Sequence, residues 1–117
     1  MSYIDGFVIP VPTATKQGFI DHAHAVDKFF IDYGAVRIVE CWADDVAEGK
    51  VTDFRKAVAA TDDESVVFSW IEWPDKATRD AAMTAMTADE AMMALPMPFD
   101  GKRMIFGGFV PVYEATK

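Results

Sequence analysis

The chain has 117 residues, 51% apolar and 26% charged, with 11 basic against 19 acidic residues and a formal net charge of −8. That balance fits one globular domain, 1–117, and excludes a disordered chain. An acidic surface repels phosphate backbones, so no nucleic-acid partner is expected. No apolar run approaches the ~20 residues of a bilayer span, so no membrane partner is expected either. The single Cys41 has no cysteine to pair with, and no secretory leader is legible, so a cytoplasmic location is expected.

Tyr3 to Val11, rich in Ile, Phe and Val, predicts a strand that Pro10 and Pro12 end. Thr13 or Thr15 is placed to cap a helix running to Tyr33, in which Phe19, Ala23, Val26 and Phe30 recur at helical spacing. Gly34 stands where a helix ends in a left-handed residue. Ala35 to Trp42 predicts a second strand. The polar stretch "ADDVAEGKVTDFRKAVAATDDE" then predicts a long loop, whose middle forms a strand extension or a helical turn. Ser65 to Trp73 is the third strand, closed by Pro74. Asp75 is an N-cap for a helix over 76–87, and Asp89 starts a shorter piece to Leu95. A last strand is predicted from Arg103 to about Tyr113.

Strand, helix, strand, strand, helix, strand is the split βαβ order of ferredoxin-like α+β domains with a four-stranded antiparallel sheet. In that topology the first and last strands are antiparallel neighbours. This offers a reason for the echo between "YIDGFVIPVP" and "RMIFGGFVPVYE" at the two ends of the chain.

Alternate residues of each strand are apolar on both faces. Tyr3, Phe7, Ile9 and Val11 oppose Ile4 and Val8; Val67, Ile71 and Trp73 oppose Val66, Phe68 and Trp70; Met104, Phe106, Val110 and Val112 oppose Ile105, Phe109 and Tyr113. Two helices cover one face, and the other is left as a larger apolar patch than monomers usually carry. A homodimer is therefore the expected assembly.

Candidate chemistry is sparse. His22 and His24 are two residues apart on a helix and point in different directions, so they do not chelate one metal, and no metal site is expected. His22, at the rim of the apolar stripe, is a candidate general base. Glu40 sits among apolar neighbours on its strand face, which raises a carboxyl pKa and makes it a candidate acid or base. Binding candidates are Arg37 on the opposite strand face, Asp44 and Asp45 after the strand, and Lys50 and Arg55 in the loop. Trp42 and Trp70 are candidate stacking walls. Against a binding role for the loop stands a plainer one, in which Asp and Thr side chains pin it to its own backbone. Lys102 and Arg103 likewise read as a ligand site or as partners of neighbouring acids. The methionines of the second helix read first as core filling. Cys41, within a strand, reads as a buried thiol. No Gly-rich phosphate loop, paired-Cys metal motif or nucleophile elbow is present, and no cofactor is expected.

The stretches "YIDGFVIPVP", "VECWADDVAEGKVTDF", "ESVVFSWIEWPDKATRD" and "MPFDGKRMIFGGF" span nearly the whole chain in order. They resemble the YbaA-like family of domains of unknown function, within the dimeric α+β barrel superfamily. The resemblance implies paired four-stranded sheets with helices outside and, in several superfamily members, a pocket between sheet and helices. It implies no single activity, because the superfamily holds cofactor-free monooxygenases, haem-degrading enzymes, lactone isomerases and ligand sensors. Two functional readings follow: a small-molecule enzyme or binding protein with such a pocket, or an interaction domain whose role is the homodimer itself.

Overall fold

A computed structural model describes residues 2–117. In chain order, β1 (Tyr3–Pro12) passes through a 3₁₀ turn (Thr13–Thr15) into α1 (Lys16–Asp32), β2 (Arg37–Trp42) and a single turn, α2 (Phe54–Ala57). Then come β3 (Glu64–Trp73), α3 (Lys76–Thr87), a second single turn, α4 (Glu90–Met93), and β4 (Ile105–Phe109). The sheet order is β2-β3-β1-β4 and every neighbouring pair is antiparallel. This is the expected ferredoxin-like α+β fold.

The two longest strands, β1 and β3, lie at the centre and pair along their whole length, from Tyr3 opposite Trp73 to Pro12 opposite Glu64. Pro10 and Pro12 do not end β1, contrary to expectation. Thr13 N–H donates to Asp63 O, so odd-numbered residues of β1 turn their N–H groups toward β3 and even-numbered ones toward β4. β4 pairs only with Ile4 to Val8, so a missing N–H at Pro10 or Pro12 breaks no ladder bond. β4 itself is shorter than predicted. Past Phe109, opposite Ile4, the chain runs beyond the start of its only neighbouring strand, and Pro111 has no N–H to give. The first and last strands are neighbours, as expected. Phe7 meets Phe106 and Gly6 meets Gly107, so the repeated Gly-Phe-Val triplets are not themselves opposite one another.

Helix ends follow local chemistry. Asp75 accepts from Thr78 N at 2.7 Å at the start of α3, and Asp89 from Met92 N at 3.2 Å at the start of α4. α1 has no side-chain cap, because Thr15 Oγ1 donates to Pro12 O instead. It ends as predicted at Gly34, whose φ is +119°, with Ala35 N–H reaching back to Phe30 O at 2.9 Å.

α1 and α3 cover one face of the sheet. Tyr3, Ile71, Trp73, Ala82 and Met86 form one buried cluster, with Phe30 packed edge-on to Trp73; Ile9, Val11, Phe19 and Val67 form a second. Each such side chain contributes about 1.5–3 kcal/mol by leaving water. Two ion pairs anchor the rim. Asp5, beneath this core, takes the Trp73 indole N–H at 2.9 Å and a fork of bonds from Arg79. Glu64 takes both Nη atoms of Arg103 at 2.7 Å. The other face of the sheet carries no helix. Phe68, Ile105 and Phe109 are 41%, 46% and 61% exposed there, and Cys41 is exposed on the edge strand beside them, not buried as its strand position suggests.

Candidate functional site

α1 crosses the helix-covered face beside β2. Phe19, Ile20, Ala23 and Ile31 form its apolar stripe, with Lys16, His24, Asp27 and Lys28 on the same side, at the three- and four-residue steps of one helical face. β2 turns Ile38, Glu40 and Trp42 toward them, every second residue of the strand. Between helix and strand lies a cleft of about 540 Å³. Deeper, between α1, the sheet centre and the chain after α4, is a more apolar cavity of about 260 Å³, walled by Phe7, Ile71, Met92, Met97, Phe99 and Met104. Phe19, Ala23, Asp27 and Glu40 line both spaces, so the acid pair stands between the outer cleft and the inner cavity.

The pair has unusual electrostatics. Glu40 Oε2 is buried and receives no hydrogen bond from any N–H or hydroxyl. Burial, the charge of Asp27 and a hydrogen bond shared with it push the Glu40 carboxyl up to about 8, against a smaller opposing pull from Ser69. Burial also raises Asp27, to about 6, partly offset by the bond to Glu40 and by His24. Two carboxylates in contact do not both ionise in a site poor in water, so the pair holds one proton between them at neutral pH. Glu40 then carries the proton and Asp27 the charge. An acid and a base, each with a pKa near neutrality, share one wall.

His22 lines the inner cavity as well. Its Nδ1–H donates to Pro96 O at 2.9 Å, and its ring meets Phe99 edge-on at 5.6 Å. Burial lowers its pKa, with the Pro96 carbonyl opposing, so the ring is neutral at pH 7 and Nε2 keeps its lone pair. His22 thereby ties α1 to the segment that closes the cavity.

The remaining predicted residues are dispersed. Trp42 is in the outer cleft, against Phe19 at 6.1 Å and beneath Lys16 Nζ at 5.5 Å. Trp70 lies on the uncovered face, with its indole N–H on Glu72 at 2.9 Å; Arg37 pairs with the same carboxylate at 3.2 Å. Asp44 and Asp45 are exposed after β2, around a shallow hollow with Phe54 and Phe68. Lys50 is exposed, and Arg55 lines a separate groove beside α2 that Lys50 does not reach. The Arg55 guanidinium donates to the carbonyls of Thr61 and Glu64, and Asp53 accepts from Gly49 N and Lys56 N. This is the pinned loop, and its middle is the helical turn α2. Among the described residues no group of three or more His, Cys, Asp or Glu is placed to hold a metal.

Asp27 was missed from sequence, and so was the Asp5–Arg79–Trp73 group. Asp27 did leave a signal: it interrupts the apolar series at Ala23, Asp27 and Ile31, where a solvated acid is out of place.

The sheet order β2-β3-β1-β4 and the helices packed on one face define a ferredoxin-like α+β domain. A crystal structure from Bacillus cereus, provisionally described as an antibiotic biosynthesis monooxygenase, superposes with a TM-score of 0.53 over 99% of this chain and 98% of that one, at 12% identity. A likeness that distant shows the fold alone. The family is narrower. Residues 2–101 match the model of a protein family of unknown function, DUF1428, and the chain belongs to it. It is 53% identical over 116 residues to the uncharacterized protein YbaA of Escherichia coli K12, covering 97% of this chain and 99% of that protein. The YbaA of Shigella flexneri matches to the same extent.

Proposed function

We propose that this chain is a small-molecule enzyme in which Asp27 and Glu40 move protons on a ligand bound between α1 and the sheet. The observation that carries the reading is one half-buried acid pair shared by two ligand-sized spaces. With Asp27 ionised and Glu40 protonated, the pair suits enolisation of a small carbonyl compound. Asp27 takes a proton from the carbon beside the carbonyl while Glu40 gives its proton to the carbonyl oxygen. Return of the two protons, at the same or a neighbouring carbon, restores both groups, so isomerisation needs no co-reactant.

The test is exchange in D₂O. Small ketones, 2-oxo acids and 1,3-diones are incubated with the protein, and loss of the α-proton signal is followed by NMR. Exchange is expected for the compounds that bind, and Glu40→Gln and Asp27→Asn are each expected to slow it by about a hundredfold or more, the usual worth of a general acid or base. Exchange that persists in both variants refutes the assignment.

A second copy of the chain is the partner we infer for the uncovered sheet face. Phe68, Ile105 and Phe109 are too exposed for a comfortable monomer surface. A face-to-face pair of about 800 Å² per partner would bury them. The exposed thiol of Cys41 on that face suits the reducing cytoplasm. If this dimer forms and no probe exchanges its protons, the interaction-domain reading takes over.

A further inference from the structure

Resting on the acid–base reading of the site, we propose that the ligand of the outer cleft is an amphipathic organic anion, with one acidic group and an apolar body. The titratable side chains that line the cleft are Lys16, His24, Asp27, Lys28 and Glu40. Arg37, Lys56, Lys76, Arg79 and Arg103 are each engaged with an acid of the chain. Among the described residues Lys16, Lys28, Lys50, Arg55, Lys102 and Lys117 have no such ion pair, and of these Lys16 and Lys28 line the outer cleft. With Glu40 neutral, two ammonium groups against the single carboxylate of Asp27 leave one net positive charge there, in a chain whose net charge is −8. A positive cleft on an acidic molecule is the one that gathers anions.

The walls set the rest of the ligand. Phe19, Ile20 and Trp42 are apolar near Lys16, and Ile31 and Ile38 near Lys28. The lysines stand at opposite ends of the stripe, about 18 Å apart along the helix axis at 1.5 Å per residue. Glu40 and Asp27 lie between them. An acidic group held by the lysine at either end therefore lays the apolar body across the acid pair. An inorganic anion leaves these walls unused, and a long-chain amine meets the lysines as like charges.

Three probes of one chain length separate the alternatives: octanoate, 1-octanol and octylamine, titrated into ¹⁵N-labelled protein at pH 7 and low salt while amide shifts are followed. Octanoate is expected to shift residues of α1 and β2 around the cleft and to bind about tenfold more tightly than the other two, with each lysine contributing a factor of a few. In the double variant Lys16→Gln, Lys28→Gln that preference is expected to vanish while octanol binding stays the same. Both positions are exposed, so the fold tolerates the change, and spectral dispersion checks it. Octanol binding as tightly as octanoate, or octylamine more tightly, overturns the anion assignment and leaves the small-molecule site standing. Shifts confined to the uncovered sheet face, or none with any probe, overturn both.

Discussion

Glu40→Gln keeps the shape of the side chain and removes the proton that the site holds. In the folded chain Glu40 titrates near 8 against an ordinary 4.5. The folded state therefore binds more protons than the unfolded state between those values, and stability falls as pH rises through the window. Taken whole, that interval corresponds to about 5 kcal/mol at 1.36 kcal/mol per pH unit. Partial solvent access and the proton shared with Asp27 reduce it to about 2–3 kcal/mol. Asp27, raised to about 6, adds in the same sense at the lower end. His22, lowered by burial, acts in the opposite sense, but it is present in both proteins and cancels in their difference. The assay is urea unfolding at several pH values from 5 to 9. The wild type is expected to lose about 2–3 kcal/mol across the range relative to Glu40→Gln, which becomes the more stable protein at the alkaline end. Parallel curves for the two proteins would refute the half-buried, proton-sharing pair.

The Glu64–Arg103 fork carries the opposite pH signature. The Arg103 guanidinium holds Glu64 down to about 2, so its stabilisation is present above the ordinary 4.5 and is lost as pH falls toward 2. Arg103→Gln is expected to move the acid-unfolding midpoint, followed by circular dichroism, to higher pH. Trp73→Phe leaves buried Asp5 without the indole donor at 2.9 Å and a small void beside Phe30. A loss of about 1–3 kcal/mol in denaturant unfolding is expected, with a value near zero counting against the bond. Phe109→Asp places a charge on the uncovered sheet face. Sedimentation is expected to report a dimer for the wild type at micromolar concentration and a monomer for the variant; a wild-type monomer removes the argument for a second copy.

The elements and their faces were readable residue by residue. Asp75 and Asp89 announced their helices, Gly34 its reversal, and alternation along β1 and β3 separated the side chains of the helix-covered face from Phe68 and Trp70. Errors fell where a neighbour decided the outcome. Pro10 remained in β1 because β4 stops short of it, and β4 ended at Phe109 because β1 starts at Tyr3. The candidate site was half legible. Glu40 drew attention as an acid on an apolar strand face, whereas Asp27 looked like one more helical carboxylate in an acidic chain. Arg55 and Arg103 each carried two readings, an anion site or a partner within the chain, and both are spent on Thr61, Glu64 and Asp100 of the chain itself.

Sequence alone determined the order of the main elements, the two apolar sheet faces and the helix ends marked by Gly34, Asp75 and Asp89. These depend on periodicity, capping and turn chemistry, which act within a few residues. Only the tertiary structure brought Asp27 of α1 to Glu40 of β2. Their shifted pKa values belong to neither residue separately, because the burial and mutual repulsion that hold one proton between them exist only once the helix lies on the sheet.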